Sequence, residues 1–165
     1  MNEPHYRYFI RSRWRGRTAA PPAIGAKLLK TLDALSAIDP IFANWEIINA
    51  RKMSSAPLAA ARHHIAEVIA DGVVLDDFRE PDPDCGYYAH ASVGKFKDPR
   101  SVSLVVDAGG RYAGGTLLEF AAHDVATDLA IVTYPLFKAA LLAINAIWLA
   151  PWACAQSFRS GAVCR

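Results

Sequence analysis

The sequence predicts an α+β fold: a mainly antiparallel sheet of about five strands covered by about three helices. Three observations point there. Strand-like alternation opens the chain, three short β-like runs cluster in its middle, and stripes of helical spacing lie before and after them. At 165 residues, 53% hydrophobic and 21% charged, the chain suits one globular domain over residues 1–165, able to bury about two thirds of its unfolded surface.

The elements follow in order. In "HYRYFIRSRWR", Tyr6, Tyr8, Ile10 and Trp14 share one parity and Arg7, Arg11, Arg13 and Arg15 the other, with Phe9 as the exception. This is the pattern of a strand with one buried and one charged face. Pro21-Pro22 then opens a helix whose stripe is Ile24, Leu28, Leu32, Leu35 and Ile38, and Asp39-Pro40 stops it because the residue before proline is pushed out of helical geometry. A second helix is expected from Ser55-Ala56-Pro57, with a serine cap, an inner face of Leu58, Ala61, Ile65, Val68 and Ile69, and Gly72 as its stop. "DDFREPDPDCG" reads as a polar loop. The runs "GYYAHASV", "SVSLVVDAG" and "GTLLEFAA" read as strands, Pro135 to Leu149 as a helix, and "WACAQSF" as a last strand.

Composition excludes several classes. Net charge is only +2, so whole-molecule charge says little about partners. The three cysteines, Cys85, Cys154 and Cys164, form no C-x-x-C pair, which argues against a disulfide framework and suits a reducing compartment. The N-terminus shows no secretory signal pattern, so a cytoplasmic location is expected. "AALLAINAIWLAPWACA" is interrupted by Pro151 and is too short before it for the roughly 20 residues a bilayer requires. It reads as a buried core helix, and no membrane partner is expected.

Catalytic patterns are scarce. His63-His64 followed by Glu67 is not H-E-x-x-H, and a surface ion pair is the simpler explanation. His123-Asp124 has no nucleophile motif to complete it. The D-x-D spacing of Asp82 and Asp84 lacks the glycine and glutamate of a calcium loop. No phosphate-binding glycine loop follows a strand. The expectation is therefore a non-enzyme with no catalytic residue, no metal and no cofactor.

Charge is nonetheless segregated. Seven of the sixteen acidic residues fall between Glu67 and Asp84, with Arg79 the sole base there, while Arg7, Arg11, Arg13, Arg15 and Arg17 crowd the first strand and its end. A charged run is usually a solvated face. The acidic loop, with Asp76, Asp77, Glu80, Asp82 and Asp84 beside Tyr87 and Tyr88, is the candidate surface for a basic protein partner. The arginine strand is the candidate for a nucleic-acid module, although such modules usually carry a larger basic excess. Phe42 and Trp45, and likewise Trp14, Trp148 and Trp152, sit at element boundaries, where large rings fill gaps between sheet and helices.

Taken in order, "YFIRSRWRGR", "IDPIFANW", "DCGYY", "SVSLVVDAGG" and "AIWLAPWACAQS" resemble the immunity protein 52 family of bacterial polymorphic toxin systems. The resemblance spans Tyr8 to Ser157. It implies an α+β fold and an antidote that binds, one to one, a cognate toxin domain with a restriction-endonuclease-like nuclease fold. It implies Trp14, Phe42, Trp45, Trp148 and Trp152 as fold determinants, and it supplies no catalytic residues.

Overall fold

Arginines and aromatics alternate along the first strand because successive side chains of an extended chain point to opposite faces. In the structure, a computed structural model describing residues 6–95, 97–121 and 125–159, that strand is β1 (Tyr6–Arg15), with Ile10, Ser12 and Trp14 buried. The other elements are α1 (Pro21–Ile38), β2 (Glu46–Asn49), β3 (Ser54–Pro57), α2 (Leu58–Ala61), α3 (Ile65–Asp71), β4 (Tyr87–Val93), β5 (Val102–Ala108), β6 (Ala113–Phe120), α4 (Tyr134–Trp148) and β7 (Trp152–Arg159). The strands form one sheet in the order β3-β2-β4-β5-β6-β1-β7, every neighbouring pair antiparallel.

The α+β class and the antiparallel sheet agree with expectation, and the sheet, with seven strands among the described residues, is somewhat larger than the five or so expected. The two additional strands are the β2–β3 hairpin. Ser54–Pro57, expected to start a helix with Ser55 as its cap, instead pairs with β2 as an edge strand. Proline is tolerated there because an edge strand leaves one side of its ladder unpaired. The helix after it is broken into α2, a 3₁₀ turn at Arg62–His64 and α3. The remaining predicted elements lie where expected to within a residue or two.

Helices and sheet share one core. Ile24, Leu28, Leu32 and Leu35 of α1, Ile65 and Ile69 of α3, and Ala140, Ile144 and Trp148 of α4 pack with Ile10, Leu104, Val106, Leu118 and Phe120 of the sheet. Every one of these sheet positions lies on one face, so among the described residues the helices cover that face and leave the other open. The predicted turn at Asp39-Pro40 is what carries Phe42 and Trp45 inward. Asp39 Oδ1 accepts from Ile41 N at 2.8 Å and starts a 3₁₀ turn over Pro40–Phe42. Phe42 and Trp45 then stack with their centroids 6.2 Å apart, and Phe42 meets Phe120 edge-on. Trp45 is 2% exposed. Both rings belong to the core.

A second aromatic wedge closes the other end of the core. Trp14 and Trp148 stack at 5.0 Å with their planes 7° apart, and Trp148 Nε1 donates to Thr31 Oγ1 at 3.0 Å, linking α4 to α1. The Trp14 ring lies so close to Gly114 of β6 that a Cβ there would stand 2.2 Å from its Nε1, so only glycine fits. Trp152 departs from the expected core role. It pairs with Arg13 across the β1–β7 ladder, on the face away from the helices, and is 48% exposed. No helix among the described residues is long and apolar enough to cross a membrane.

Candidate functional site

The acidic loop joins α3 to β4 and folds on its own backbone. Gly72 ends α3, its N–H donating to Val68 O and Ile69 O. Val74 N then donates to Gly86 O at 2.9 Å and Asp82 N to Val74 O at 2.8 Å. Leu75 and Pro81 bridge, Asp76 N donates to Glu80 O at 2.9 Å, and Arg79 N donates to Asp76 O at 3.0 Å, making a miniature hairpin with Asp77 and Phe78 at its tip. Arg79 takes the left-handed conformation (φ 65°) that closes this kind of turn.

Two of the five candidate carboxylates build the loop. Asp76 Oδ1 accepts from Phe78 N at 2.8 Å and Glu80 N at 2.9 Å. Asp82 Oδ1 accepts from Asp84 N at 2.9 Å, while its Oδ2 accepts from the Cys85 thiol at 3.1 Å. That thiol contact holds the Asp82 carboxyl below the usual carboxylate range, and the same bond pushes the Cys85 thiol up. Asp84 pairs with Arg111 at 3.5 Å, and its carbonyl accepts from Arg111 N at 2.8 Å. Loop and β5–β6 turn meet where Gly86 (φ 96°) passes Gly110, an approach that leaves no room for a Cβ. Asp77 and Glu80 are exposed at the tip.

The two tyrosines separate. Tyr88 faces outward and is exposed, but Tyr87 turns to the covered face and packs against the core, so it is not a surface anchor. Strand alternation forces neighbours onto opposite faces. Sequence reasoning missed the larger aromatic feature. Phe78, at the loop tip, is 85% exposed, Tyr112 of the adjoining β5–β6 turn is 76% exposed, and Leu75 is also exposed. The signal was present in "DDFRE", an aromatic with no helical or strand period around it.

The arginine strand is less free than its spacing suggests. Arg7 donates to Glu119 Oε1 through Nε at 2.7 Å and again through Nη2. Arg17 donates to the carbonyls of Trp148 and Leu149 at 3.4 and 3.1 Å, capping the C-terminus of α4. Arg11 lies 5.5 Å over the Phe9 ring, and the charge of Arg13 acts on Asp107 of β5, whose carboxyl is raised by burial and drawn back down by that arginine. Of the His63-His64 pair, His64 makes the expected surface contact with Glu67, at 3.7 Å. His123 and Asp124 lie outside the described residues. Among the described residues no group of three or more His, Cys, Asp or Glu side chains is placed to hold a metal ion. Set against known proteins, no family model matches the chain and no curated sequence matches it.

Proposed function

We propose that this chain is an immunity protein. It binds the enzymatic domain of a cognate bacterial toxin, one to one in the cytoplasm, and blocks substrate access or active-site assembly without chemistry of its own. The partner is a nuclease domain of restriction-endonuclease-like fold, as the resemblance to the immunity protein 52 family implies. The observation that carries the reading is Phe78: a phenyl ring 85% exposed, held on a backbone-locked tip with Asp77 before it and Arg79 and Glu80 after it. Exposed aromatic anchors on pre-ordered loops are typical of protein-binding surfaces, because little conformational entropy is lost on docking. The flanking carboxylates complement the basic surface with which a nuclease grips its substrate, speeding encounter and disfavouring wrong partners.

The test is to look for a toxin domain encoded by a gene adjacent to this one and, with that domain expressed in cells, to measure growth rescue by this chain and direct binding in parallel. The triple variant Asp77→Asn, Phe78→Ala, Glu80→Gln leaves Asp76 and Asp82, which shape the loop, untouched. Wild type should protect and the variant should not. Full protection by the variant would remove the loop from the mechanism, and a wild-type chain that neither binds nor protects would end the reading.

The competing reading is a nucleic-acid-binding module on the arginine strand. It rests on Arg11, Arg13 and Arg15, since Arg7 and Arg17 are engaged within the fold. It requires affinity that falls steeply with salt, and no binding at low salt would dispose of it.

A further inference from the structure

The open face of the sheet is not flat. A cavity of about 550 Å³ lies on it, between the β2–β3 hairpin and the β4–β5 loop, within the usual size of small-molecule sites. Its floor is made of outward-pointing residues of three adjacent strands: Ile48 of β2, His90 of β4 and Ser103 of β5. His90 Nε2 and Ser103 Oγ share a hydrogen bond of 2.8 Å.

Both walls are tied down by side chains. On the hairpin side, Asn49 Oδ1 accepts from Lys52 N at 3.0 Å, Asn49 Nδ2 donates to Asp71 Oδ2 at 2.7 Å, and Lys52 Nζ meets the same Asp71 oxygen at 2.7 Å. The turn is thereby fastened to the end of α3. Opposite, Asp98 N donates to Lys95 O at 3.0 Å and Ser101 N to Asp98 O at 2.9 Å, while Asp98 Oδ1 accepts from Arg100 N at 2.8 Å. Arg100 reaches Asp128 at 3.6 Å, and Asp128 N donates to Pro99 O at 3.0 Å, so this loop is fastened too. A cavity with both walls fixed is pre-formed and spares a ligand the cost of ordering them.

The lining has a definite chemistry. Hydroxyls of Ser55, Ser92 and Ser103 and the His90 imidazole surround the floor, Lys95 and Lys97 stand on the loop, and Glu46 is the sole carboxylate among the lining residues. Hydroxyl and imidazole donors beside ammonium groups suit an oxyanion, and the Ile48 side chain offers an apolar surface to the rest of a ligand. We propose that this cavity binds a small organic anion, its phosphate or carboxylate head on His90, Ser103 and Lys95 and its apolar body against Ile48. The site is separate from the acidic loop and stands or falls independently of the toxin reading.

Phenyl phosphate and benzoate, which share a body and differ in head group, are the probes, with inorganic phosphate as the bodiless control. Each is titrated at millimolar concentrations into the purified chain, followed by amide chemical shifts. Saturable shifts confined to residues 48–55 and 90–103 are expected, and which probe binds more tightly names the head group. Ser103→Ala and His90→Ala, combined, should weaken binding about tenfold or more through loss of hydrogen bonds to a charged group, whereas Phe78→Ala should bind as wild type does. Circular dichroism confirms that the variants fold. Absence of saturable shifts with every probe, shifts centred elsewhere, or affinity indifferent to the double variant would each overturn the site.

Discussion

The chain passes from helix to strand at residues 39–45, between α1 and β2, and again at residues 72–86, between α3 and β4. Both connections begin at a helix stop and both carry aromatics, yet Phe42 and Trp45 end in the core while Phe78 ends in solvent. The difference lies in where each backbone spends its hydrogen bonds. The first connection makes one 3₁₀ turn, started by Asp39, and that turn swings its rings into the gap between α1 and the sheet. The second bonds to itself through Asp76, Val74 and Asp82, so it never returns to the core. An aromatic in the shorter connection has a place to be buried; Phe78 in the longer connection is left in solvent between exposed Asp77 and Arg79. Side-chain type alone does not decide between anchor and core.

The comparison breaks most visibly at Trp45. Truncation to alanine should cost about 3–5 kcal/mol in denaturant unfolding, as expected for a large buried ring. Its Nε1 finds no acceptor among the described residues, so the loss is one of packing and not of hydrogen bonding. Unchanged stability would place the ring outside the core.

Trp148 and Trp152 sharpen the same contrast within five residues of sequence. Trp148, buried and bonded to Thr31, should also cost about 3–5 kcal/mol as alanine. Trp152, half exposed beside Arg13, should cost no more than about 1 kcal/mol. Similar losses at both positions would mean that the outer face of β7 is covered.

A smaller, pH-dependent effect belongs to Asp107 on the open face. Burial raises its carboxyl above the usual range, with Arg13 opposing. A carboxyl raised in the folded state holds its proton more tightly there than when unfolded. Folding therefore gains as pH falls through the raised value, and the gain is complete below the unfolded value of about 3.9. Charged Asp107 thus weakens the fold at neutral pH. Asp107→Asn should unfold at higher denaturant than wild type at neutral pH, and the difference should vanish below about pH 4. A difference independent of pH would show that charge is not its cause.

What was legible in the sequence tracks the length of each signal. β1 and α1 were readable because alternation and a stripe of threes and fours persist over many residues, as Arg7 to Arg15 and Ile24 to Ile38 do. β2 was not, since Glu46–Asn49 holds only two apolar residues, and those are adjacent. β3 was misread because Ser-Ala-Pro is at once a helix-start pattern and an acceptable edge strand; only its partner across the sheet decides. Trp152 was misplaced because β7 register, set by pairing with β1, fixes which face a strand residue joins. The acidic residues of the loop were legible as a cluster. That Asp76 and Asp82 serve the backbone while Asp77 and Glu80 face solvent depends on turn geometry, and Tyr87 and Tyr88 could not be told apart before the strand's phase was known.

The smallest expected effect on stability is at Phe78. An exposed ring on a loop whose hydrogen bonds are made by its backbone and by Asp76 contributes little to folding, so Phe78→Ala should leave the unfolding free energy within about 0.5 kcal/mol of wild type. Its consequence is expected in binding alone. If the ring enters a pocket on a toxin domain, its loss should weaken the complex by about 2 kcal/mol or more, chiefly through faster dissociation. Loss of fold stability with binding intact would be the opposite pattern. It would place Phe78 with Phe42 and Trp45 as a packing residue and leave the carboxylates as the sole contact feature of the loop.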